Sequence, residues 1–110
     1  MQKGEHMVLL TGHPYHCTLK AKLPFPIGTV SAEGTLTRTG IDTVEVDVSA
    51  KGHDRHLSGK IENDTYSLET TVKGLPAGAV FTIDGKGKID GTAYAWKFRN
   101  VSFSGSVEDR

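Results

Sequence analysis

Apolar and polar residues alternate along most of this chain. The alternation is cleanest in the segment CTLKAKL, where Cys17, Leu19, Ala21 and Leu23 share one face and a threonine and two lysines occupy the other. A period of two residues is the period of a β-strand with one buried face. No segment shows the 3.6-residue apolar period of an amphipathic helix. We therefore expect an all-β protein.

The same period recurs in the segments that follow and assigns their inward-facing positions. The residues between these positions are mostly serine, threonine, lysine, glutamate and aspartate, which suits a face exposed to solvent. The inward positions are Val30, Ala32, Gly34 and Leu36; Val44, Val46, Val48 and Ala50; Leu57, Gly59 and Ile61; Tyr66, Leu68, Thr70 and Val72; Phe81, Ile83, Gly85, Gly87 and Ile89; Tyr94, Trp96 and Phe98; and Val101, Phe103, Gly105 and Val107.

Turn-forming residues separate these segments. Asp90-Gly91 is the strongest hairpin signal, because a type I′ turn needs two positive φ angles, and Asn63-Asp64 is the next strongest. The weaker turn signals are Thr39-Gly40, 52–54 and 74–78.

The pattern gives about eight short strands, joined mostly by hairpins. This order predicts a small antiparallel up-and-down barrel or a two-sheet sandwich, and we favour the barrel. The 110 residues suffice for one domain, 1–110. We interpret residues 1–7 as a flexible or vector-derived N-terminus.

Composition excludes several classes of partner. Thirteen basic residues balance thirteen acidic ones, so no general field attracts nucleic acid. The apolar run Val8 to Leu10 is far shorter than the ~20 residues of a membrane span. The single cysteine, Cys17, cannot form an intrachain disulfide, which suits a reducing compartment and favours the cytoplasm.

Four glycines raise the question of whether the interior is filled. Gly34, Gly59, Gly87 and Gly105 each precede an inward aliphatic residue by two positions. Such glycines permit sharp strand bends whose space neighbouring aromatic side chains fill, or they leave room for a ligand. We expect the first arrangement, because small eight-stranded barrels are commonly filled by their own side chains.

Residues capable of chemistry are few. His13 with His16, and His53 with His56, have the same spacing, but an up-and-down order is expected to place the two pairs at opposite ends. Two nitrogens fall short of the three or four protein ligands that zinc requires, so we expect no metal and no cofactor. Cys17 alternates inward and is expected to be buried, which leaves no assigned catalytic residue.

The predicted connections differ in charge between the two ends. At one end Lys51, Arg55, Lys73 and Arg99 stand against Asp54, a net charge of +3. The connections of the other end, 38–42, 62–65 and 89–91, carry one basic and four acidic residues, a net charge of −3. The neutral total therefore conceals an asymmetry.

Binding is expected at the basic end, where the predicted connections are longer. We expect a non-catalytic module that engages a small anionic or amphipathic ligand or a protein partner there. A homo-oligomeric structural or adaptor domain is the first alternative, and an enzyme that uses His53 and His56 is the second. The candidate ligand-binding residues are Phe25, His53, Arg55, His56, Lys73, Leu75 and Arg99.

Overall fold

The computed structural model describes residues 8–23, 28–50, 52–95 and 98–109, the last range without the side chains of residues 98, 99 and 109. The expectations for residues 1–7, Phe25 and Trp96 lie outside these ranges, as does the side chain of Arg99.

Eight antiparallel strands close into a barrel in up-and-down order. Each strand pairs with its neighbours in the chain, and β8 returns to pair with β1, so the barrel and not the sandwich is the fold. The strands are β1 (Pro14–Leu23), β2 (Gly28–Arg38), β3 (Thr43–Ala50), β4 (His53–Glu62), β5 (Thr65–Val72), β6 (Leu75–Ile83), β7 (Lys88–Ala95) and β8 (Phe98–Asp109).

Among the turns whose residues are all described, two have two residues with positive φ angles at both positions. Asn63 and Asp64 join β4 to β5 with φ angles of 50° and 64°, which confirms the turn predicted there. Lys73 and Gly74 join β5 to β6 with φ angles of 53° and 81°. Both turns have the backbone twist that matches the twist of the strands they connect.

The turn predicted at Asp90-Gly91 was wrong. Both residues lie inside β7, and the chain turns earlier, at 84–87. There the Asp84 carboxylate accepts hydrogen bonds from the backbone N–H groups of Lys86 and Lys88, each 2.9 Å long. These two bonds lower the pKa of Asp84, because they stabilise its charged form.

Gly91 serves a close approach between strands and not a turn. It pairs with Phe81 across β6 and β7, and a Cβ atom at this position would overlap the Phe81 side chain and the Val80 carbonyl oxygen. Glycine is favoured both where a neighbouring strand comes close and where a turn needs a positive φ angle, so the residue type alone does not show which role it has. The local sequence therefore did not distinguish the two.

Three of the four glycines singled out in the sequence mark sites of close strand approach. A Cβ atom at Gly34, Gly59 or Gly105 would overlap a backbone carbonyl oxygen of the neighbouring strand. Gly87 does not belong with them, because it lies in the turn before β7 with a φ angle of 86°.

The large inward side chains concentrate at one end of the barrel. We call this the closed end; it carries the connections 39–42, 63–64 and 84–87. Tyr66 and Phe81 stack there with ring centroids 5.1 Å apart, and Phe103 meets the edge of Phe81. The buried cluster comprises Leu9, Tyr15, Cys17, Leu36, Val44, Val46, Tyr66, Leu68, Phe81, Ile83, Ile89 and Val107.

The segment before β1 seals the closed end. Leu9 is 2% exposed and packs into the buried cluster, although Val8 and Leu10 on either side are exposed. Arg38, at the end of β2, donates a hydrogen bond from Nη1 to the Leu9 carbonyl oxygen at 3.4 Å. The Tyr15 hydroxyl accepts one from the Leu10 N–H at 2.9 Å. Leu9 is therefore part of the core.

Most of the predicted inward positions are confirmed. Val46, Leu68 and Ile83 are buried, and Ile61 is partly buried against the same cluster.

The prediction that Tyr94 faces inward was wrong, because β7 continues through 90–91 without a turn and keeps the alternation that Ile89 sets. Ile89 faces inward and is 1% exposed, so Ala93 and Ala95 also face inward. Tyr94 lies on the outer face, 39% exposed, where its ring covers Gly78 of β6.

The register of β3 predicts the effect of a buried charge. Val46→Asp should lower the free energy of unfolding by roughly 3 kcal/mol or more, because an unpaired carboxylate would enter the core. Ser49→Lys, on the exposed face of the same strand and opposite Glu33 and Asp54, introduces a charge without burying it and should cost no more than about 0.5 kcal/mol. Urea denaturation of both variants measures the difference, and equal losses would contradict the register of β3.

Candidate functional site

The other end of the barrel contains a cavity of about 300 Å³. We call this the cavity end; it carries the connections 24–27, 51–52, 73–74 and 96–97. Six of the lining residues are alanines, whose side chains are too small to meet at the barrel axis: Ala21, Ala32, Ala77, Ala79, Ala93 and Ala95. Larger lining residues, Leu36, Val46, Leu68, Phe81 and Ile89, belong to the buried cluster and form the floor.

The described inward side chains of this half therefore do not fill the interior by themselves. The aromatic side chains expected to fill it include those of Trp96 and Phe98, which lie outside the described side chains. Alanine counts as apolar in an alternating pattern, so the inward face of β7 is apolar although Ala93 and Ala95 supply little volume. Inward side chains such as Val48 and Leu57 pack against the buried cluster and keep some exposed surface where they border the cavity.

The lining is almost wholly apolar. Among the described lining residues other than Cys17, the inward polar side chains are those of Arg55 and Thr70, and Tyr94 borders the cavity from the outer face beside Gly78. Arg55 lies three residues into β4 and alternates with Leu57, so it is an inward residue and not the turn residue that the sequence predicted. It is the one charged residue among the described lining residues.

Arg55 has few partners compared with the inward arginine at the other end. Arg38 donates to three backbone carbonyl oxygens, those of Leu9, Gly40 and Ile41. Arg55 donates from Nη1 to the Asp54 carbonyl oxygen at 2.9 Å, and within the described part of the chain no carboxylate lies within salt-bridge distance of it. A guanidinium carries five N–H donors, so most of those of Arg55 are free to bind a ligand or water.

The wall beside Arg55 is open. In the described parts of β4 and β5, the ladder pairs run only from Ser58–Glu69 to Glu62–Thr65. Residues 53–57 remain paired with β3, and residues 70–72 remain paired with β6. The two hairpins therefore separate at the cavity end and leave a seam, which we call the β4–β5 seam. Arg55 and Thr70 lie on opposite sides of it, and both line the cavity.

Cys17 lies in the wall of the cavity as a buried thiol. Burial raises the pKa of Cys17 to about 11, and a hydrogen bond with the Gly34 backbone offsets only part of this effect. The thiolate is the nucleophilic form, so this side chain is inert at neutral pH. The prediction of a small buried residue is confirmed.

His56 lies outside the cavity. It faces outward from β4, where its Nδ1 is 2.7 Å from an Asp47 carboxylate oxygen and its Nε2 is 3.5 Å from a Glu45 oxygen. The hydrogen bond with Asp47 and the charges of both carboxylates raise the pKa of His56. Both ring nitrogens face carboxylates, so the geometry favours imidazolium and leaves neither nitrogen as a base for a nucleophile.

The two histidine pairs are only partly separated between the ends. His13 precedes β1 at the closed end and His53 begins β4 at the cavity end, as predicted, but His16 and His56 are level with each other. His16, Thr35, Asp47 and His56 form one cross-strand row on the outer face, because the strands of a barrel are staggered. Three strand spacings of about 4.8 Å still separate His16 from His56, too far for one ion. The described residues include no cluster of three or more potential metal ligands.

The remaining predicted site residues lie at the cavity end but apart from its lining. His53 is exposed at the start of β4, Lys73 is in the β5–β6 turn, and Leu75 begins β6 with 44% of its surface exposed. The backbone of Arg99 belongs to β8.

The connections at the cavity end are shorter than predicted. Three of the four, 51–52, 73–74 and 96–97, have two residues each. The difference in charge between the two ends persists but is smaller. The turn predicted at 89–91 lies at 84–87, which replaces Asp90 with Asp84 and adds Lys86. The connections of the closed end therefore have a net charge of −2.

Comparisons of the chain with protein-family models, with curated proteins and with solved structures find no match. The described residues contain no helix with the length and hydropathy of a membrane span.

Sequence reasoning missed Thr70 and the alanines as site residues. The signal was present as a difference in side-chain volume: inward positions near one end of the strands are aliphatic or aromatic, and those near the other end are often alanine. Hydrophobicity alone does not register this difference.

The outer-face pair predicts a pH dependence. Because the pKa of His56 is raised above 6.5, its attraction to Asp47 stabilises the fold at low pH and is lost as pH rises through the folded-state pKa. Asp47→Asn should lower the pKa of His56, whereas Asp54→Asn should lower it less. An NMR titration of the imidazole measures both, and an unchanged pKa in Asp47→Asn would contradict the pairing.

Proposed function

We propose that this protein is a small non-catalytic binding module that holds an anionic or amphipathic ligand in the cavity. The supporting observation is an apolar cavity of about 300 Å³ with one largely unpaired guanidinium, that of Arg55, in its wall. Such a site has the composition expected of ligand pockets, which are mostly apolar with a few placed polar groups.

The volume limits the ligand. Ligand pockets start at about 300 Å³, and a cavity of about 150 Å³ accommodates benzene. The buried part of the ligand should therefore have about ten to twelve heavy atoms. At roughly 0.5 kcal/mol per atom, a value typical between fragments and drug-sized ligands, the binding free energy is about −6 kcal/mol and Kd is on the order of tens of micromolar.

The cavity carries a cost in stability. A sealed void of this volume would cost about 7 kcal/mol at ~24 cal/mol per Å³, which is comparable to the whole stability of a small domain. Access of water or of a ligand reduces that cost. Leucines at the inward alanine positions would fill the cavity and remove this cost. The presence of alanines there is therefore consistent with a cavity that holds a ligand.

Charge is the first test of the site. Binding of 1-anilinonaphthalene-8-sulfonate, an anionic probe that fluoresces in apolar surroundings, should weaken with added salt. The double variant Arg55→Glu/Lys73→Glu should weaken binding by roughly tenfold or more. The matched reversal at the closed end, Asp42→Lys/Asp64→Lys, should have a smaller effect. The reverse order would contradict a site at the cavity end.

Filling the cavity is the second test. Ala93→Leu points inward and should abolish probe binding while it maintains or raises the midpoint of thermal unfolding, because it fills empty space. Thr92→Leu adds the same side chain to the outer face of the same strand and should leave binding unchanged. Unchanged binding in a folded Ala93→Leu variant would place the probe outside the cavity.

A further inference from the structure

We propose that the ligand is a monocarboxylic acid with a compact apolar body, and that its carboxylate pairs with Arg55 at the β4–β5 seam. This inference rests on the proposed binding function and assigns the chemical class and orientation of the ligand. It depends on the charge of the lining, the geometry of the seam and the depth of the floor.

The charge of the lining selects an anion. The described lining residues include Arg55 and no aspartate or glutamate. Arg55 also borders a shallow outer-face pocket that is lined by Glu33, Asp47 and Asp54, whose side chains belong to the outer face. Among described residues, none of these carboxylates forms a salt bridge with the guanidinium. A cationic head group in the cavity would therefore meet an unneutralised positive charge.

A single guanidinium selects one negative charge. Its planar fork matches the two oxygens of a carboxylate, and Thr70 on the other side of the seam provides a hydroxyl donor. A phosphate monoester carries close to two negative charges at neutral pH, so one of them would lack a partner beside an apolar wall. The outer-face carboxylates near Arg55 add repulsion to a second charge.

The seam allows the head group to remain partly hydrated. Strand residues 53–57 and 70–72 have no ladder pairs with each other, so their backbone groups on that side depend on water. A carboxylate held there keeps contact with this water, and the cost of moving it from solvent is smaller than at the floor. The apolar body then extends toward Leu68, Phe81 and Ile89.

Four eight-carbon ligands with different head groups test the assignment. Octanoate, 1-octanol, octylamine and octyl phosphate have the same tail, and calorimetry on the full chain measures the affinity of each. Octanoate should bind about tenfold more tightly than 1-octanol, and the amine and the phosphate should bind more weakly than octanoate.

Variants of the seam show whether Arg55 causes this preference. Arg55→Met should reduce the preference of octanoate over 1-octanol to about twofold or less, and Arg55→Gln should do the same if Arg55→Met folds poorly. Thr70→Val should weaken octanoate by about two- to fivefold. Lys60→Met, which removes a positive charge from the exposed face of β4, should keep the preference.

The outcomes separate this inference from the function it rests on. If 1-octanol or octylamine binds as tightly as octanoate, or if Arg55→Met and Arg55→Gln keep the preference, the acid assignment is overturned and the cavity remains a binding site. If octyl phosphate binds more tightly than octanoate, the inference that the head group carries a single negative charge is overturned. If no ligand binds to the folded protein, the proposed function is overturned as well.

Discussion

Closure of the sheet between β8 and β1 is the constraint on which the rest of the structure depends. The two strands approach so closely that a Cβ atom at Gly105 would overlap the Thr18 carbonyl oxygen, and the Thr18 and Ser106 hydroxyls lie 3.1 Å apart across the same pair of strands. Closure at eight strands sets an interior just wide enough for side chains to fill. Whether it is filled at a given level then depends on the volumes of the inward residues.

The two ends of this barrel meet that constraint in different ways. At the closed end, aromatic and branched side chains meet at the axis, Leu9 covers them, and Arg38 is satisfied by backbone carbonyls. At the cavity end, many of the described inward residues are alanines that border a cavity of about 300 Å³, and Arg55 retains free donors. Dense packing in one half of a barrel can offset the cost in stability of a cavity in the other half.

The fold was predictable because large aliphatic residues identify the inward face of a strand. Val46, Leu68 and Ile83 each determine the parity of their strand, and a shift by one residue would expose them. The prediction failed in β7, where the inward residues near the cavity are small and the large Tyr94 faces outward. It also failed to distinguish a turn glycine from Gly91, which makes room for Phe81.

Of the candidate site, the sequence indicated one end of the barrel but not the residues that line the cavity. The basic end was correctly expected to differ from the acidic end, but Arg55 was assigned to a turn because a charged residue breaks the apolar alternation of an inward face. Phe25 and the Arg99 side chain lie outside the described residues, and His56 is held by carboxylates on the outer face. Cavity volume and strand separation are properties of the closed barrel, and no local segment encodes them.

The central claim is that one half of the interior accepts a ligand while the other half stays closed. Methyl-labelled NMR spectra recorded with increasing octanoate test it directly. The account predicts chemical-shift changes for the methyl groups of Val48, Leu57 and Val72, which line the cavity, and little change for Val44, Ile83 and the outer-face Val80. Changes concentrated at Val44 and Ile83, or at Val80, with the cavity methyl groups unaffected, would contradict it.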